Sequence, residues 1–348
     1  MGKALDIVKD STLTYRQQLI QLAMLGEEQD DSLVYSDEYW NARKDRAICD
    51  LFEGNMPYRP RYTCPDFELL MKKGCEFLEL DPPTDLMEAI NVLEVFYSHI
   101  PTQGSFPVYL GDVDLLLEPF VLKENKENAR KQLRLFLKYI DRVFPDSFVH
   151  ANLGPVETVS GNIILELTEE MQLAVPNLTL KYDPDITPDD YAIKAIRCML
   201  KTAKPSFANH RMFVKEWGEK YAIASCYNGL KVAGGAYTLS RLRLYECSLA
   251  AESIEDFMDR VLPYYVNIQL EYIDKRVKFM SEEASFFKTN FMVKEGFLKH
   301  ENFIGLFGLV GLAECCNHLL GIEDKKKGFG LNDEATKLGI QIMDEIER

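Results

Sequence analysis

Cys226 is the residue of this sequence whose surroundings most favour chemistry. It follows the small-residue run 221–225 and precedes a tyrosine, an asparagine and a glycine, which are residue types common in turns. A free cysteine normally behaves as a small hydrophobic side chain within a helix or strand. The pattern indicates a thiol at the tip of a loop, and it fits both a reactive group and a cysteine that the loop merely tolerates.

The residues around Cys226 predict a strand on each side of this loop. Residues 221–225 form the first strand, and the alternating run 236–245 forms the second. Residues 1–100 carry helical patterns, whereas strands and helices alternate later in the chain, with strands predicted at 148–153 and 177–182. This alternation favours an α/β sheet or barrel with crossover helices.

Five stretches resemble the glycyl radical enzymes, and more narrowly the YjjI family. The stretch ASCYNGLKVAGGAYTLSRLRL, residues 224–244, is similar to the loop that carries the thiyl radical in these enzymes. The other four are MPYRPRY at residues 56–62, FPVYLGDVDLLLEPF at 106–120, VPNLTLKYDP at 175–184 and FIGLFGLVGLAECCN at 303–317. The resemblance covers nearly all of the sequence, and the YjjI family is related to anaerobic ribonucleotide reductase and pyruvate formate-lyase.

The resemblance implies a specific fold, a ten-stranded α/β barrel made of two five-stranded halves with the Cys226 loop reaching into its middle. It implies that residues 1–100 form an N-terminal helical region and residues 101–348 the barrel portion, within one structural unit. A thiyl radical needs such an enclosure, because it must lie close to a substrate C–H bond and away from water. Small neighbours such as Ala224 and Gly229 allow this close approach.

By this resemblance, the expected function is hydrogen abstraction from an unknown small organic substrate through a thiyl radical at Cys226. The expected partners are that substrate and an activating enzyme of the radical S-adenosylmethionine class, with a second copy of the chain as a further candidate. No bound cofactor is expected, since the activating enzyme installs a glycyl radical in the complete enzyme. Two alternatives stay open, a non-catalytic binding protein on the same fold and an ionic enzyme that pairs Cys226 with His210.

The C-terminal residues depart from the family pattern. The family stores its radical on a glycine within a C-terminal motif of the form R-x-x-G-[YW], and this sequence has no such motif. We therefore expect the chain alone to be inactive, because it cannot hold the glycyl radical. A shortened chain, a split gene and a loss of radical chemistry are the explanations left open.

The pair Cys315–Cys316 competes with Cys226, because adjacent cysteines serve pyruvate formate-lyase. The pair falls at the start of a helix predicted at 313–320, where a small apolar residue would pack. It also lies in a stretch that resembles a segment of the reductase, whose thiyl cysteine occurs earlier in the chain. We therefore place Cys226 first.

The candidate substrate-binding residues around the loop are Asn209, His210, Tyr227 and Asn228. Glu314 is a fifth candidate if it faces the barrel mouth, and the alternative is that it caps the helix that follows. No metal site is expected. Asp112 and Asp114 lack further ligands, and acidic residues are common where a helix begins.

The overall composition argues against several classes of partner. The formal net charge of −15 disfavours nucleic acids and anionic membrane surfaces, which attract clustered lysine and arginine. The first residues lack the apolar stretch of a signal peptide, and no apolar run reaches the length of about 18 residues that a membrane helix needs. The eight cysteines form no C-x-x-C motif, so a reducing cytoplasm is the expected location.

Overall fold

A computed structural model describes residues 2–27, 33–50, 58–103, 108–144, 148–224 and 228–348 of the protein. The chain divides into two compact units. The terminal unit comprises residues 1–58, 237–284 and 305–348, and the central unit comprises residues 59–236 and 285–304.

Helices account for most of the regular structure in the described residues. In chain order the α-helices are α1 Gly2–Lys9, α2 Tyr15–Glu27, α3 Asp37–Lys44, α4 Phe67–Lys73, α5 Leu86–Gln103, α6 Val113–Val121, α7 Lys126–Val143, α8 Val159–Met171, α9 Asp189–Thr202, α10 His210–Trp217, α11 Leu244–Ser248, α12 Ile254–Asp256, α13 Leu262–Lys278, α14 Phe286–Thr289, α15 Phe291–Lys294, α16 Leu312–Leu319 and α17 Asp333–Glu347. Two π-helical segments, Phe257–Val261 and Phe279–Glu283, adjoin the ends of α13.

The strands of the described residues are β1 Ile48–Asp50, β2 Tyr62–Cys64, β3 Val108–Asp112, β4 Val149–Leu153, β5 Asn177–Tyr182, β6 Ser206–Asn209, β7 Tyr221–Ala224, β8 Asn228–Lys231, β9 Gly234–Arg243 and β10 Phe303–Val310. Eight of them form one mixed sheet in the order β1-β9-β2-β3-β4-β5-β6, with β10 also paired to β9. The other two, β7 and β8, form a separate hairpin.

The central unit contains five consecutive parallel strands, β2 to β6. Helices α4 and α5 link β2 to β3, α6 and α7 link β3 to β4, α8 links β4 to β5, and α9 links β5 to β6. Parallel neighbours require such crossovers, because the chain must return to the same end of the sheet before each new strand. Every residue of β4 is buried, as expected for a parallel strand that is covered on both faces.

The crossover helix α7 shows how the sequence fixes these helices. Its buried stripe at helical spacing consists of Ala129, Leu133, Phe136, Leu137 and Ile140. Asn125 caps its first turn, since the side-chain oxygen accepts a hydrogen bond from the Asn128 amide at 2.8 Å. The apolar stripe and the cap together set the face and the starting point of the helix.

The terminal unit has a hydrophobic core of its own. Tyr39 of α3 stacks on Tyr272 of α13 with the ring centroids 5.1 Å apart. Phe257 and Ile342 are fully buried members of the same cluster. In this unit β1 pairs antiparallel with the last part of β9, and Ile48 lies opposite Leu242.

The architecture confirms the α/β class and differs from the expectation in two details. The described residues place eight strands in the sheet rather than ten, and five of these are parallel, the number expected for one half of the barrel. The short strand β1 falls within residues 1–100 at a place where the sequence predicts a helix, because its pairing with the distant β9 outweighs local preference. None of the helices in the described ranges is both long enough and apolar enough to cross a membrane.

Candidate functional site

The sequence position of Cys226 is the connection between the two strands of a hairpin. β7 and β8 are antiparallel, with Ala224 opposite Asn228 at the end nearest the connection. Ser225, Cys226 and Tyr227 form that connection in the sequence, and all three lie outside the described residues. The described part of the site therefore consists of the two strands that flank Cys226 and of the residues that contact them.

The strand that follows Cys226 differs from the predicted one. Asn228 and Gly229 belong to β8 rather than to a turn, because their backbones pair with β7. The strand predicted at 236–245 corresponds to β9, which begins at Gly234 and belongs to the main sheet. A short strand of four residues was thus missed, since its asparagine and glycine are residue types typical of turns.

β7 is buried along its whole length. Its four residues, 221–224, are each no more than 1 % exposed. An antiparallel hairpin commonly leaves one face in water, and this strand leaves neither. The strand that leads to Cys226 is therefore enclosed by protein on both sides.

Asn152, near the carboxyl end of β4, holds the outer edge of β7. Its side-chain oxygen accepts a hydrogen bond from the Ile223 amide at 2.9 Å, and its side-chain nitrogen donates to the Ile223 carbonyl at 2.9 Å. Both residues are buried, with Asn152 fully inaccessible to solvent. The Asn152 carboxamide thus uses one acceptor and one donor toward the Ile223 backbone, as the backbone of a neighbouring strand would.

Lys181, near the carboxyl end of β5, binds the same edge at its beginning. Its ammonium group donates to the Tyr221 carbonyl at 2.9 Å and lies 4.3 Å from the centroid of the Tyr221 ring. It also lies 2.7 and 2.9 Å from the two carboxylate oxygens of Asp112, the last residue of β3. The side chain of Lys181 is 4 % exposed, and this pairing is what allows a charged lysine to be so deeply buried.

His210 contacts the beginning of the hairpin. Its Nδ1 lies 2.8 Å from the Tyr221 hydroxyl group, and burial together with the nearby Lys181 charge lowers the pKa of the imidazole. Asn209, directly before it, caps α10 by accepting a hydrogen bond from the Met212 amide at 3.2 Å. Of these two predicted binding residues, His210 contacts β7 through its side chain, and Asn209 caps a helix.

The remaining predicted binding residues fall in different places. The Asn228 side chain, on β8, donates to the Tyr62 hydroxyl group at 3.5 Å, a long hydrogen bond. Glu314 is exposed in the first turn of α16, within the terminal unit, whereas Asn209, His210 and Asn228 belong to the central unit.

The Cys315–Cys316 pair has the surroundings of packing residues. Both side chains are fully buried in α16 and belong to the hydrophobic core of the terminal unit. Burial raises the pKa of the Cys315 thiol to about 12 and that of the Cys316 thiol to about 11. These thiols are therefore protonated at neutral pH and are poor ionic nucleophiles.

The two aspartates considered as metal ligands have protein partners instead. Asp112 binds Lys181 as described, and Asp114 accepts hydrogen bonds from the Gly154 amide at 2.9 Å and the Thr158 hydroxyl at 3.3 Å. Across the described ranges no group of three or more histidine, cysteine, aspartate and glutamate side chains is arranged to hold a metal ion.

A cavity of about 240 Å³ adjoins this part of the central unit. Phe67, Tyr109 and Leu116 contribute apolar surface to it. Four acidic residues also line it, Asp66, Glu68, Asp112 and Glu219, together with Lys220, whose ammonium group donates a hydrogen bond to the Glu68 carboxylate. The volume is that of a small organic molecule, below the usual range for drug-sized ligands.

Asn152 and Lys181 are the two site residues that sequence reasoning missed. Each is a polar residue within a buried part of a parallel strand, where both faces are normally apolar. A buried polar side chain needs a partner, so these two positions could have been marked as sites of a specific contact. Their partner could not have been named, because it lies far along the chain.

Comparisons with known proteins bear on the family. The family described as glycyl radical enzyme YjjI-like matches residues 13–348. An uncharacterized protein of Haemophilus influenzae is 43 % identical over 346 residues, which is 99 % of this chain and 67 % of that protein. The uncharacterized protein YjjI of Escherichia coli is 38 % identical over 98 % of this chain and 66 % of its own length. This chain thus spans about two thirds of the length of these relatives.

Solved structures of low sequence identity share the fold. The anaerobic ribonucleotide reductase from Thermotoga maritima with citrate in its active site has a TM-score of 0.74 at 15 % identity, over 99 % of this chain and 75 % of that chain. A glycyl radical enzyme from Archaeoglobus fulgidus has a TM-score of 0.62 at 12 % identity, over 76 % of this chain and 47 % of that chain.

Proposed function

The chain belongs to the YjjI-like glycyl radical enzyme family, and from this premise we propose that it removes a hydrogen atom from a small organic substrate through a thiyl radical at Cys226. One observation carries the assignment to this cysteine. The strand that precedes it, β7, is buried on both faces and is fixed to the carboxyl ends of two parallel strands. A reactive radical requires such a rigid and enclosed support.

The chemistry that a glycyl radical supplies is the one-electron oxidation of a thiol by removal of its hydrogen atom. The Cys226 sulfur then holds the unpaired electron and takes a hydrogen atom from a carbon of the substrate. A new S–H bond forms as the C–H bond breaks, and the unpaired electron is left on the substrate carbon. Residues of this chain orient the sulfur and exclude water, whereas proton transfer is not needed for this step.

The cavity beside the hairpin supports a small substrate. Its lining combines aromatic and aliphatic side chains with four acidic residues, Asp112 among them, and with Lys220, a mixture that suits a polar molecule of few carbon atoms. His210, the first residue of α10, and Asn228, the first residue of β8, are proposed to contact the substrate. Tyr227, Asn209 and Glu314 complete the proposed set, although the Asn209 side chain already caps α10.

The ionic alternative is less well supported than the radical one. His210 binds Tyr221, the first residue of β7, and an extended strand of this length places its last residue about 10 Å further on. A general base must lie within hydrogen-bond reach of the thiol that it deprotonates. The contact of His210 with the base of the hairpin instead suits a role in holding the hairpin.

The proposal extends to the whole enzyme in terms that the family implies. A radical S-adenosylmethionine enzyme would install the radical, and a second copy of the chain is a candidate partner. The complete barrel would have ten strands in two halves, of which β2 to β6 would be one. The barrel portion predicted at residues 101–348 would then also include β2, which lies within the predicted N-terminal region of residues 1–100.

The proposal can be tested without knowing the substrate. In the activated full-length protein, transferred to D₂O, the Cys226 thiol acquires deuterium from solvent. Reversible transfer between this thiol and the glycine would replace the hydrogen on the glycine carbon, so the electron paramagnetic resonance doublet should collapse. Cys226→Ala should retain both the radical and the doublet, whereas the matched variant Cys316→Ala should lose the doublet as the wild type does.

Two outcomes would contradict the assignment. If Cys226→Ala still loses the doublet and Cys316→Ala keeps it, the thiyl position belongs to the cysteine pair. If the wild-type protein forms no glycyl radical with an activating enzyme of the radical S-adenosylmethionine class, a non-catalytic binding protein becomes the better supported hypothesis.

A further inference from the structure

We propose that Asn152 and Lys181 are positioning residues for the Cys226 thiol, because their side chains replace a neighbouring strand along the outer edge of β7. This inference rests on the proposed thiyl function of Cys226. It assigns to two residues of the parallel sheet a role in the geometry of the radical step.

β7 makes hydrogen bonds along both of its edges. On one edge it pairs with β8, through residues 221–224 and 228–231. In an antiparallel pair, alternate residues direct their backbone groups toward the partner, and the others direct them away. Tyr221 and Ile223 have the same parity, so their outward backbone groups lie on the edge opposite β8.

This second edge is buried, and its backbone groups need partners there. A buried backbone group without a hydrogen bond is energetically costly, so native proteins almost always satisfy such groups. Here the Asn152 side chain forms hydrogen bonds with both the amide and the carbonyl of Ile223, and Lys181 donates a hydrogen bond to the Tyr221 carbonyl. The two side chains thus supply hydrogen bonds that a second neighbouring strand would otherwise make with β7.

Side chains offer a different kind of support from a strand. A strand would constrain β7 along its full length and would occupy the space beside it. The two side chains fix the backbone of β7 at two points, Tyr221 and Ile223. Because Ile223 lies three residues before Cys226 in the sequence, the Asn152 contact is the nearer of the two to the thiol.

Lys181 further connects the hairpin to the cavity. Its ammonium group binds the Tyr221 carbonyl and the carboxylate of Asp112, and Asp112 lines the cavity. The hairpin, the lysine and the cavity wall are therefore joined by consecutive polar contacts. A shift of β7 would change the distance between the thiol and a substrate bound against Asp112.

The test compares two variants with a matched control. Asn152→Ala removes both hydrogen bonds to Ile223, and Lys181→Met removes the hydrogen bond to Tyr221 while keeping an unbranched side chain. Asn290→Ala is the control, since Asn290 is another asparagine of the central unit, 4 % exposed, whose side chain accepts a hydrogen bond from the Met292 amide at 2.8 Å. Hydrogen exchange followed by mass spectrometry reports on residues 221–224 in the protein before activation.

We expect amide exchange in this segment to become at least about tenfold faster in Asn152→Ala and to stay unchanged in Asn290→Ala, given the worth of a buried hydrogen bond. In the activated protein, replacement of the glycine hydrogen by deuterium should slow by at least about tenfold in both test variants. The yield of glycyl radical should match that of the control, because a positioning role leaves radical installation intact. If the two residues only stabilised the fold, the variants would lower the yield of glycyl radical together with the rate of deuterium incorporation at the glycine.

The possible results separate the inference from the proposed function. Unchanged amide exchange in residues 221–224, or unchanged deuterium incorporation in both test variants, overturns the positioning role. If deuterium incorporation persists in Cys226→Ala, the function assigned to Cys226 fails, and amide exchange alone then decides whether the two side chains hold β7. If Asn152→Ala does not fold, Lys181→Met decides the positioning role by the rate of deuterium incorporation at the glycine, because Lys181 binds the Tyr221 carbonyl rather than an amide.

Discussion

At the scale of single residues, Asp114 is the clearest example of a side chain whose titration depends on the fold. It lies in the first turn of α6 and is fully buried. Burial, with a smaller contribution from the nearby Asp112, raises the pKa of its carboxyl group to about 7, although hydrogen bonds from Gly154 and Leu115 act in the opposite direction. The folded protein therefore binds a proton at this residue near neutral pH.

This pKa predicts how stability depends on pH. In the unfolded chain the carboxyl group has a pKa near 3.8, so it is ionised above about pH 5. The folded protein binds more protons than the unfolded chain between these two pKa values, and the resulting stabilisation is lost as pH rises through about 7. We expect Asp114 to make the free energy of unfolding about 2–3 kcal/mol smaller at pH 8 than at pH 5.

The measurement is urea unfolding of the wild type and of Asp114→Asn at several values between pH 5 and pH 8. Asparagine does not titrate, so the difference between the two proteins isolates this carboxyl group from the histidines. A difference in unfolding free energy that stays constant over this range would show that Asp114 does not titrate there.

At the scale of elements, the hairpin of β7 and β8 depends on close packing against α10. The Phe213 ring of α10 stacks on Tyr221 with the centroids 5.4 Å apart and the planes 10° from parallel. Gly229 of β8 lies against the same helix. A β-carbon added there would be 2.6 Å from Cε1 of Phe213 and 2.6 Å from Nε1 of Trp217. The hairpin can approach α10 this closely only because residue 229 has no side chain.

We therefore expect Gly229→Ala to lower the free energy of unfolding by about 1–3 kcal/mol, the usual effect of overpacking. The matched control is Gly26→Ala in α2, where an added β-carbon meets no atom within 4 Å. Alanine favours helix by about 1 kcal/mol over glycine, so this variant should be as stable as the wild type or more stable. Urea unfolding of both variants provides the comparison, and equal effects would mean that α10 and β8 do not pack as described.

At the scale of the whole molecule, the chain forms two units, and each contains buried aromatic residues. Phe257 is fully buried in the terminal unit, and Phe136 is fully buried in the central unit. The two units are not consecutive in the sequence, because the terminal unit consists of segments from both ends and from the middle of the chain. Strand β9 carries the backbone from one unit into the other.

This division predicts which segments of the chain a cavity in either core will destabilise. Phe257→Ala and Phe136→Ala should each lower the free energy of unfolding of their own unit by about 3–5 kcal/mol, because each leaves a cavity. Hydrogen exchange should therefore increase mainly at 237–284 and 305–348 for the first variant, and mainly at 59–224 for the second. A uniform increase over all segments in both variants would show that the units unfold together.

The sequence by itself identified the family, and it predicted much of the local structure. Strand β5 occupies Asn177–Tyr182, the residues that the alternating pattern indicated. The helix near the cysteine pair also agrees closely, with α16 at Leu312–Leu319. These features depend on neighbouring residues, so a local pattern is sufficient to find them.

Only the tertiary structure decided how the strand before Cys226 is held. Asn152 lies 71 residues from Ile223, and Lys181 lies 40 residues from Tyr221. No local pattern records which distant backbone groups a buried asparagine or lysine will meet, because that depends on the register of the parallel strands. The same reason explains why β8 was read as a turn: pairing with β7, a contact between residues brought together by the fold, determined its conformation more strongly than its residue types did.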